Sequence, residues 1–449
     1  MGFKVNLFTT FIAIIGIAFY NTSCLFLTLA LTVLTVLYSY WKNWRYMTKL
    51  PGGKGISIKG FFENSSSEFY KSMKKLWIKY GHDKFVVWIG FERFVTVSKY
   101  EDVKTILTAT NDAILMDKYH AMWPWLGADV IRGNYFPCQT FTNVITSSAL
   151  DRFTKDAAFV DHMSRRFGAL CKHNMSSGDT VDIQMLSKLM MFDILYVIGT
   201  GRNISDQRTE LLKETERLIS MADSRIYSGL MQSSTIRTIT GEERRFRSAR
   251  NRISQIISAH LKSTDAKAVA YSVYDDICTK FPNIDPSPLI ETFVLLGYDR
   301  FSIGFTNMIM ELSKNAELQD EICSEIRQHQ RNFIKSDKLH KFLVQQLKAH
   351  PIMPVVTKTM TDGVPLTGYF IPPNTGVLLY LENLDSHGKL MENSMSTFDD
   401  CMTMNLMKIF VGEFIVRFKF QMMETKSLSM GCGVSLRRKG VNVCVRNRY

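Results

Sequence analysis

The sequence predicts a mainly helical α+β domain that follows an N-terminal membrane anchor. Three observations support this prediction: two apolar runs near the N-terminus, helical spacing of apolar residues through the middle of the chain, and short β-rich segments nearer the C-terminus. The chain has 449 residues, of which 46% are hydrophobic, including 30 phenylalanines. A chain of this length and apolar content can bury one large core.

The N-terminal region contains apolar runs at residues 5–20 and 25–40, separated by Asn21-Thr22-Ser23-Cys24. Each run is slightly shorter than the ~20 residues of a membrane-spanning helix. Together they provide one tilted span with an interfacial segment, or a tight hairpin. A cleavable signal peptide is the alternative, although no pattern of small residues closes the apolar region. We therefore assign residues 1–41 to a membrane anchor.

Positive charge follows the anchor. Lys42 and Arg45 alternate with aromatic residues, and Pro51 then interrupts any helix. Basic residues just beyond an apolar segment place the following chain on the cytoplasmic side of a membrane. We expect a basic hinge that contains Pro-Gly at residues 42–53 and a single domain at residues 54–449 that faces the cytoplasm.

Charge and cysteine content limit the function classes. The formal net charge is +13, which suits an anionic membrane surface or an acidic protein partner. The predicted anchor favours the membrane and gives no reason to expect a nucleic-acid partner. The eight cysteines show no zinc-binding spacing, so the sequence predicts neither a zinc site nor a disulfide framework.

The first elements of the domain are predicted from β propensity and apolar spacing. Strands at residues 85–89 and 94–98 form a hairpin through a turn at residues 90–93. A helix is expected at residues 101–107, and helical spacing then continues almost without a break from about residue 151 to residue 312.

The later elements include two long helices and a β-rich region. An apolar helix is predicted at residues 292–313, with the polar pair Asp299 and Arg300 in its middle. After His350, prolines separate short β-rich pieces such as residues 377–381. A last long helix is predicted at residues 404–416 and a strand at residues 434–445.

Short motifs recur in one order along most of the chain. They are Pro51-Gly52, Tyr80-Gly81, Trp88-Ile89-Gly90, Val95-Thr96-Val97-Ser98, Trp125-Leu126-Gly127, the segment 312–319, Gly368-Tyr369-Phe370-Ile371-Pro372 and the segment 408–418. In this order they resemble a microsomal cytochrome P450, of the family-4-like clan of insects and other animals that oxidises fatty acids and hormones. The resemblance implies the cytochrome P450 fold.

The resemblance also implies a function. Such a protein is a haem-thiolate monooxygenase of the endoplasmic reticulum that inserts one oxygen atom into a lipophilic substrate such as a lipid, a hormone or a xenobiotic. NADPH supplies the electrons through NADPH–cytochrome P450 reductase, whose acidic docking surface suits a basic chain. Anionic lipid explains the positive charge equally well.

The resemblance leaves one candidate for the iron ligand. The family's thiolate lies in a loop that contains glycine and arginine and precedes a helix. Here Phe398 leads through Cys401 into the predicted helix at Lys408, and the loop is deleted. Cys401 is therefore the candidate metal ligand, about one helical turn closer to Lys408 than in the family. The alternative is a cysteine that only packs at the start of a helix.

The central helix carries the residues that align with the family's oxygen-activating group. These are Leu296, Gly297, Tyr298, Asp299 and Arg300. Asp299 and Arg300 are the candidate catalytic residues, and Gly297 is a candidate cofactor-binding residue. Arg300 places a permanent cation where the family has a threonine hydroxyl, and a guanidinium cannot relay a proton.

In the family, further residues brace the core beside the haem or contact its propionates, and the aligned Gln345, Lys348 and Lys358 are candidate cofactor-binding residues. Gln345 and Lys348 replace a buried Glu-x-x-Arg pair. The replacement removes the bidentate ion pair between carboxylate and guanidinium. Lys358 remains as a candidate contact to a propionate, whereas Phe136 and Thr140 replace tryptophan and arginine. Because all these changes concern one cofactor, we expect an impaired monooxygenase. The alternatives are a haem-poor pseudoenzyme that binds a lipid, a hormone or a partner protein, and an incomplete gene product.

Overall fold

The fold is known from a computed structural model. It describes residues 30–31, 34, 49–52, 66–81, 83–89, 92–109, 157–174, 180–204, 207–227, 229–262, 272–280, 282, 285–330, 332–349, 355–360, 362–373, 375–380, 400–423, 429–432, 436–439 and 441–448. Most of these residues are helical, and the strands form four small sheets. The prediction of a mainly helical α+β domain is thus confirmed.

Thirteen α-helices in the described part of the chain have defined bounds. They are α1 (Ser66–Lys79), α2 (Tyr100–Ala109), α3 (Ala157–Asn174), α4 (Ile183–Thr200), α5 (Arg208–Tyr227), α6 (Gly229–Gln232), α7 (Ser234–Ile239), α8 (Glu242–Lys262), α9 (Val273–Lys280), α10 (Ser287–Leu312), α11 (Ala316–Gln328), α12 (Asp337–Ala349) and α13 (Asp400–Arg417). A short 3₁₀ helix, Phe333–Lys335, precedes α12.

The strands, in chain order, are β1 (Phe85–Ile89), β2 (Glu92–Val97), β3 (Thr180–Asp182), β4 (Val355–Met360), β5 (Val364–Leu366), β6 (Tyr369–Ile371), β7 (Thr375–Tyr380), β8 (Phe418–Met422), β9 (Ser429–Cys432), β10 (Leu436–Lys439) and β11 (Asn442–Asn447). The largest sheet has the order β1-β2-β7-β4, in which β2 and β7 are parallel and the other pairs antiparallel. The other sheets are β3-β11-β8, β5-β6 and β9-β10.

The predicted hairpin is present, but its turn is shorter than expected. Glu92 pairs with Ile89 and Arg93 pairs with Trp88, so both belong to β2. The prediction that they lie in the turn was wrong, because β propensity in one segment does not reveal where its partner strand ends. The buried Thr96 side chain strengthens the pair, since its hydroxyl donates to the carbonyl of Phe85 at 2.7 Å.

The predicted long helices exist but begin earlier than expected. α10 begins at Ser287, five residues before the predicted start, with a proline in its first turn, where a missing N–H costs least. α13 begins at Asp400 and therefore includes Cys401. The predicted C-terminal strand is two strands, β10 and β11, which belong to different sheets.

α4 is the central core helix and packs along α10. The carboxylate of Asp182 caps its N-terminus by accepting from the amides of Gln184 at 2.9 Å and Met185 at 3.2 Å. Gly201, at φ 73°, ends it in the left-handed conformation that favours glycine. A Cβ at Gly199 would lie 3.1 Å from a methyl of Val294, so the absence of a side chain there permits the close approach to α10.

One described helix, α4, is long and apolar enough to cross a membrane, but most of it is buried within the domain. It therefore serves as a core helix. The predicted anchor at residues 1–41 lies outside the described residues except for residues 30, 31 and 34, which are helical. Leu31 and Leu34 are both exposed.

Aromatic contacts fix α10 against α3 and α13. The ring of Phe167 lies 5.8 Å from that of Phe305 and 5.9 Å from that of Phe410, measured between centroids. Phe305 also meets Phe414 edge to face at 5.6 Å. Pairs of this geometry add about 0.5–1.5 kcal/mol each beyond their burial. They set the relative position of the two helices that carry Asp299 and Cys401.

Candidate functional site

The predicted site residues lie on three helices and one strand. They are Gly297, Asp299 and Arg300 on α10, Gln345 and Lys348 on α12, Cys401 on α13, and Lys358 on β4. The three helices pack against one another. β4 belongs to the four-stranded sheet, where Lys358 pairs with Val377 of β7. The fold therefore brings together the helices of six of these residues and holds the seventh in a sheet.

Tyr298 links α10 to two other helices. Its side chain is fully buried, and its hydroxyl donates to Oε1 of Glu216 on α5 at 2.5 Å. The other oxygen of Glu216 accepts from Nζ of Lys188 on α4 at 2.9 Å. The residue between Gly297 and Asp299 thus directs its polar group toward α5, where it helps to hold three helices together.

Asp299 is buried near the middle of α10. The next hydroxyl along the helix, that of Ser302, donates to the carbonyl of Asp299 at 2.8 Å. The hydroxyl of Thr306 in turn donates to the carbonyl of Ser302 at 2.7 Å and lies 2.8 Å from the hydroxyl of Ser187 on α4. The Ser302 hydroxyl therefore forms a structural bond within α10, and the Thr306 hydroxyl also contacts Ser187 across the α4–α10 interface. The side chain of Arg300 lies outside the described residues.

Glu291 is a buried acid on α10 that the sequence analysis did not single out. Only 2% of its surface is exposed, and burial raises the pKa of its carboxyl, although a bond from Ser254 and the charge of Arg250 act in the opposite direction. Ser254 and Arg250 lie on α8. No motif in the sequence indicates that Glu291 interacts with Ser254 and Arg250, because α10 and α8 come together only in the folded protein.

Gln345 lies on the exposed side of α12. A neutral amide in contact with water forms no buried ion pair, even though α12 itself packs against α10 and α13. The side chain of Lys348, three residues further along the helix, lies outside the described residues, as does that of Lys358.

Cys401 is the second residue of α13. The first backbone N–H groups of a helix have no partner within the helix, and they favour a negative charge such as a thiolate. The Cys401 side chain itself lies outside the described residues. Further along, Lys408 is buried and its Nζ donates to the carbonyl of Ile334 at 2.8 Å. This bond ties α13 to the 3₁₀ helix before α12.

Comparison with known proteins identifies the family. Residues 50–390 match the family model for cytochrome P450. This chain belongs to the cytochrome P450 family. Cytochrome P450 4V2 of Rattus norvegicus is 22% identical over 400 residues, which cover 78% of this chain and 75% of the relative. Cytochrome P450 4V2 of Mus musculus is 19% identical over 398 residues, which cover the same shares.

A third relative, cytochrome P450 4e5, mitochondrial, of Drosophila mettleri, is 19% identical over 347 residues, which cover 69% of this chain and 66% of the relative. The chain is thus a family-4-like P450, as its ordered motifs predicted. The family consists of haem-thiolate monooxygenases that receive electrons from a reductase. The family match ends at residue 390 and so does not include Cys401, although a cysteine thiolate is the ligand on which P450 chemistry depends.

The described side chains of α10 and α12 show which groups occupy the positions that the sequence analysis aligned with the family's haem site. Gln345, which the sequence analysis aligned with the acid of the family's Glu-x-x-Arg pair, is neutral and exposed. Tyr298 directs its hydroxyl to Glu216, and Ser302 and Thr306 bond to backbone carbonyls. Gln345 therefore forms no buried ion pair, and the residue directly after Asp299 is an arginine without a hydroxyl.

Proposed function

We propose that this chain is a family-4-like P450 whose monooxygenase activity toward a lipophilic substrate is impaired. The observation that carries the proposal is the exposure of Gln345 on α12. A buried carboxylate–guanidinium pair fixes neighbouring elements by paired, charge-assisted bonds, whereas an exposed amide fixes nothing. Loss of the buried ion pair therefore weakens the scaffold beside the site. Replacement of the family's threonine by Arg300 is a second defect.

The proposal includes a location and a partner. Residues 1–41 anchor the chain in the endoplasmic reticulum membrane, residues 42–53 form the hinge, and residues 54–449 form a domain that faces the cytoplasm. NADPH–cytochrome P450 reductase supplies electrons to any haem that the chain binds. The net charge of +13 supports both an acidic partner and an anionic membrane.

A second candidate function is a haem-poor pseudoenzyme that binds a lipophilic molecule or a partner protein at the membrane. The hydrogen bonds of Tyr298 and Ser187 support this candidate, because they connect α10 to α4 and α5 by contacts that do not involve a haem-binding residue. A protein whose helices are joined by such bonds can stay folded even if it has no catalytic activity.

The carbon monoxide difference spectrum of the dithionite-reduced protein tests both candidates. The full chain is expressed in membranes with added haem precursor, and Cys401→Ala is compared with Cys278→Ala, a substitution of a half-buried cysteine on α9. If Cys401 ligates iron, the thiolate-type Soret band disappears in Cys401→Ala and remains in Cys278→Ala. Equal haem content in both variants rules Cys401 out as the ligand.

Two further outcomes separate the candidates. Folded protein without any haem band supports the pseudoenzyme. A haem band combined with NADPH-driven oxidation of a fatty acid at rates of about 1–10³ s⁻¹, ordinary for enzymes, contradicts the proposed impairment.

A further inference from the structure

An open groove of about 630 Å³ lies along the exposed face of α8, with Thr238 of α7 also lining it. The α8 residues that line it recur at intervals of three or four, so they share one face of the helix. They include Arg244, Arg247, Ser248, Asn251, Arg252 and Gln255. All six are exposed, and each carries at least one hydrogen-bond donor.

The acid that lines the groove, Glu243, is already engaged by three guanidinium groups. Its carboxylate accepts from Arg225, Arg237 and Arg247, each at 3.1 Å. Partial burial acts to raise the pKa of Glu243, but the three arginines outweigh it and hold that pKa below its usual range. Glu243 is therefore ionised at neutral pH, and it shares two of its arginine partners, Arg225 and Arg237, with the neighbouring Glu242.

The other two arginines of the groove, Arg244 and Arg252, are more available than Arg247 to bind a ligand. Arg252 donates to Glu210 of α5 at 2.7 Å, but both side chains are about half exposed, and such pairs stabilise little. Arg244 is exposed and makes no ion pair or side-chain hydrogen bond with any residue in the described part of the chain. The groove thus presents positive charge, with the Asn251 and Gln255 amides beside it.

We propose that this groove binds a phosphate-bearing anion. Guanidinium groups form paired, charge-assisted hydrogen bonds with phosphate oxygens, and Arg244, Arg247 and Arg252 line one open groove with the Asn251 and Gln255 amides. This site lies on α8, apart from α12 and α13, and binding there requires no haem.

Two sources supply the same ligand chemistry, a soluble phosphate ester and a phospholipid head group. Ile239 follows the groove-lining Thr238 and is 77% exposed. An apolar side chain beside a cationic groove suits the boundary between head groups and acyl chains. The two sources are therefore separate arms of the test.

The first arm measures binding of inorganic phosphate to the full chain in non-ionic detergent by calorimetry, at ionic strength held constant with chloride. Removing one guanidinium that contacts a phosphate should weaken binding about tenfold. Arg244→Gln is the test variant, and Lys341→Gln on the exposed face of α12 is the matched control with the same change of charge. Both residues are exposed, so neither substitution is expected to disturb folding.

The second arm measures retention of phosphatidylserine or phosphatidylcholine by the same preparation in native mass spectrometry. A lipid source predicts that phosphatidylserine is retained over phosphatidylcholine, and that Ile239→Ser lowers this retention without changing phosphate binding. A soluble source predicts phosphate binding with no preference between the lipids.

Either pattern supports an anion site if Arg244→Gln weakens the measured binding and Lys341→Gln does not. Equal effects of the two variants overturn the site, since they would indicate only a response to overall charge. Absence of binding in both arms overturns it as well.

Discussion

The Tyr298 hydroxyl of α10 and the Glu216 carboxylate of α5 are joined by a 2.5 Å hydrogen bond. Lys188 binds the other oxygen of the same carboxylate, so one acid connects three helices. We expect Tyr298→Phe to lower the free energy of unfolding by about 1–2 kcal/mol, because it removes a bond to a charged group. Denaturant unfolding followed by circular dichroism measures the change.

Tyr80→Phe serves as the control, since Tyr80 is half-buried and its hydroxyl bonds to no residue within the described part of the chain. A similar loss in both variants would show that the Tyr298–Glu216 bond contributes nothing specific.

A buried ion pair controls the response of the N-terminal part of the domain to pH. Lys84 donates to Asp102 at 2.7 Å, and Asp102 also accepts from the amide of Thr367 at 2.8 Å. Burial acts to raise the pKa of Asp102, but these bonds outweigh it and lower that pKa. The stabilisation is therefore present above the unfolded pKa near 3.8 and is lost as the pH falls through the lower folded value.

We expect Asp102→Asn to lower the free energy of unfolding at pH 7 by about 3 kcal/mol, because it leaves Lys84 charged and poorly paired in a buried position. Asp83→Asn, which changes a more exposed partner of the same lysine, should cost less than about 1 kcal/mol. Urea titrations between pH 3 and pH 7 measure both. Equal costs would contradict the assignment of Asp102 as the main partner.

Glu291 predicts the opposite pH dependence. Because burial raises its folded pKa, the folded state binds the proton more tightly, and stability falls as the pH rises from the unfolded value near 4.5 through the folded one. We expect Glu291→Gln to raise the thermal unfolding midpoint at pH 8 and to flatten its dependence on pH above 5. The exposed Glu317→Gln on α11 should leave both unchanged, and a lower midpoint for Glu291→Gln would contradict the prediction.

Arg300 gives a prediction for catalysis. A threonine hydroxyl relays a proton and a guanidinium does not, so we expect Arg300→Thr to raise reductase-driven turnover in a haem-loaded preparation by about tenfold or more. Product formation per haem measures it. The exposed Arg165→Thr on α3 should have no effect. Unchanged turnover in Arg300→Thr would place the defect elsewhere in the site.

Features encoded by neighbouring residues were predictable, and features that depend on distant partners were not. Apolar spacing located α10 and α13, because helical spacing is a local property. It missed their starts, which the structure places at Ser287 and Asp400. It also missed the contact between Ser187 and Thr306, which lie 119 residues apart.

The candidate site shows the same division. The order of motifs was sufficient to place Asp299 on a central helix, but the predicted helix near Cys401 began after it, whereas the structure includes Cys401 in α13. It did not reveal that Gln345 is exposed or that the Tyr298 hydroxyl lies against α5, because side-chain direction depends on how helices pack.

The parallel pairing of β2 with β7 has a consequence for biosynthesis. Val95 of β2 pairs with Val377 of β7, so the ribosome adds 282 residues after Val95 before its partner exists. At ordinary elongation rates this takes roughly 15–60 s. During that interval the nascent chain carries the apolar hairpin Phe85–Val97 with an open edge, to which other chains can bind. Molecular chaperones that shield such edges should therefore govern the yield of folded protein.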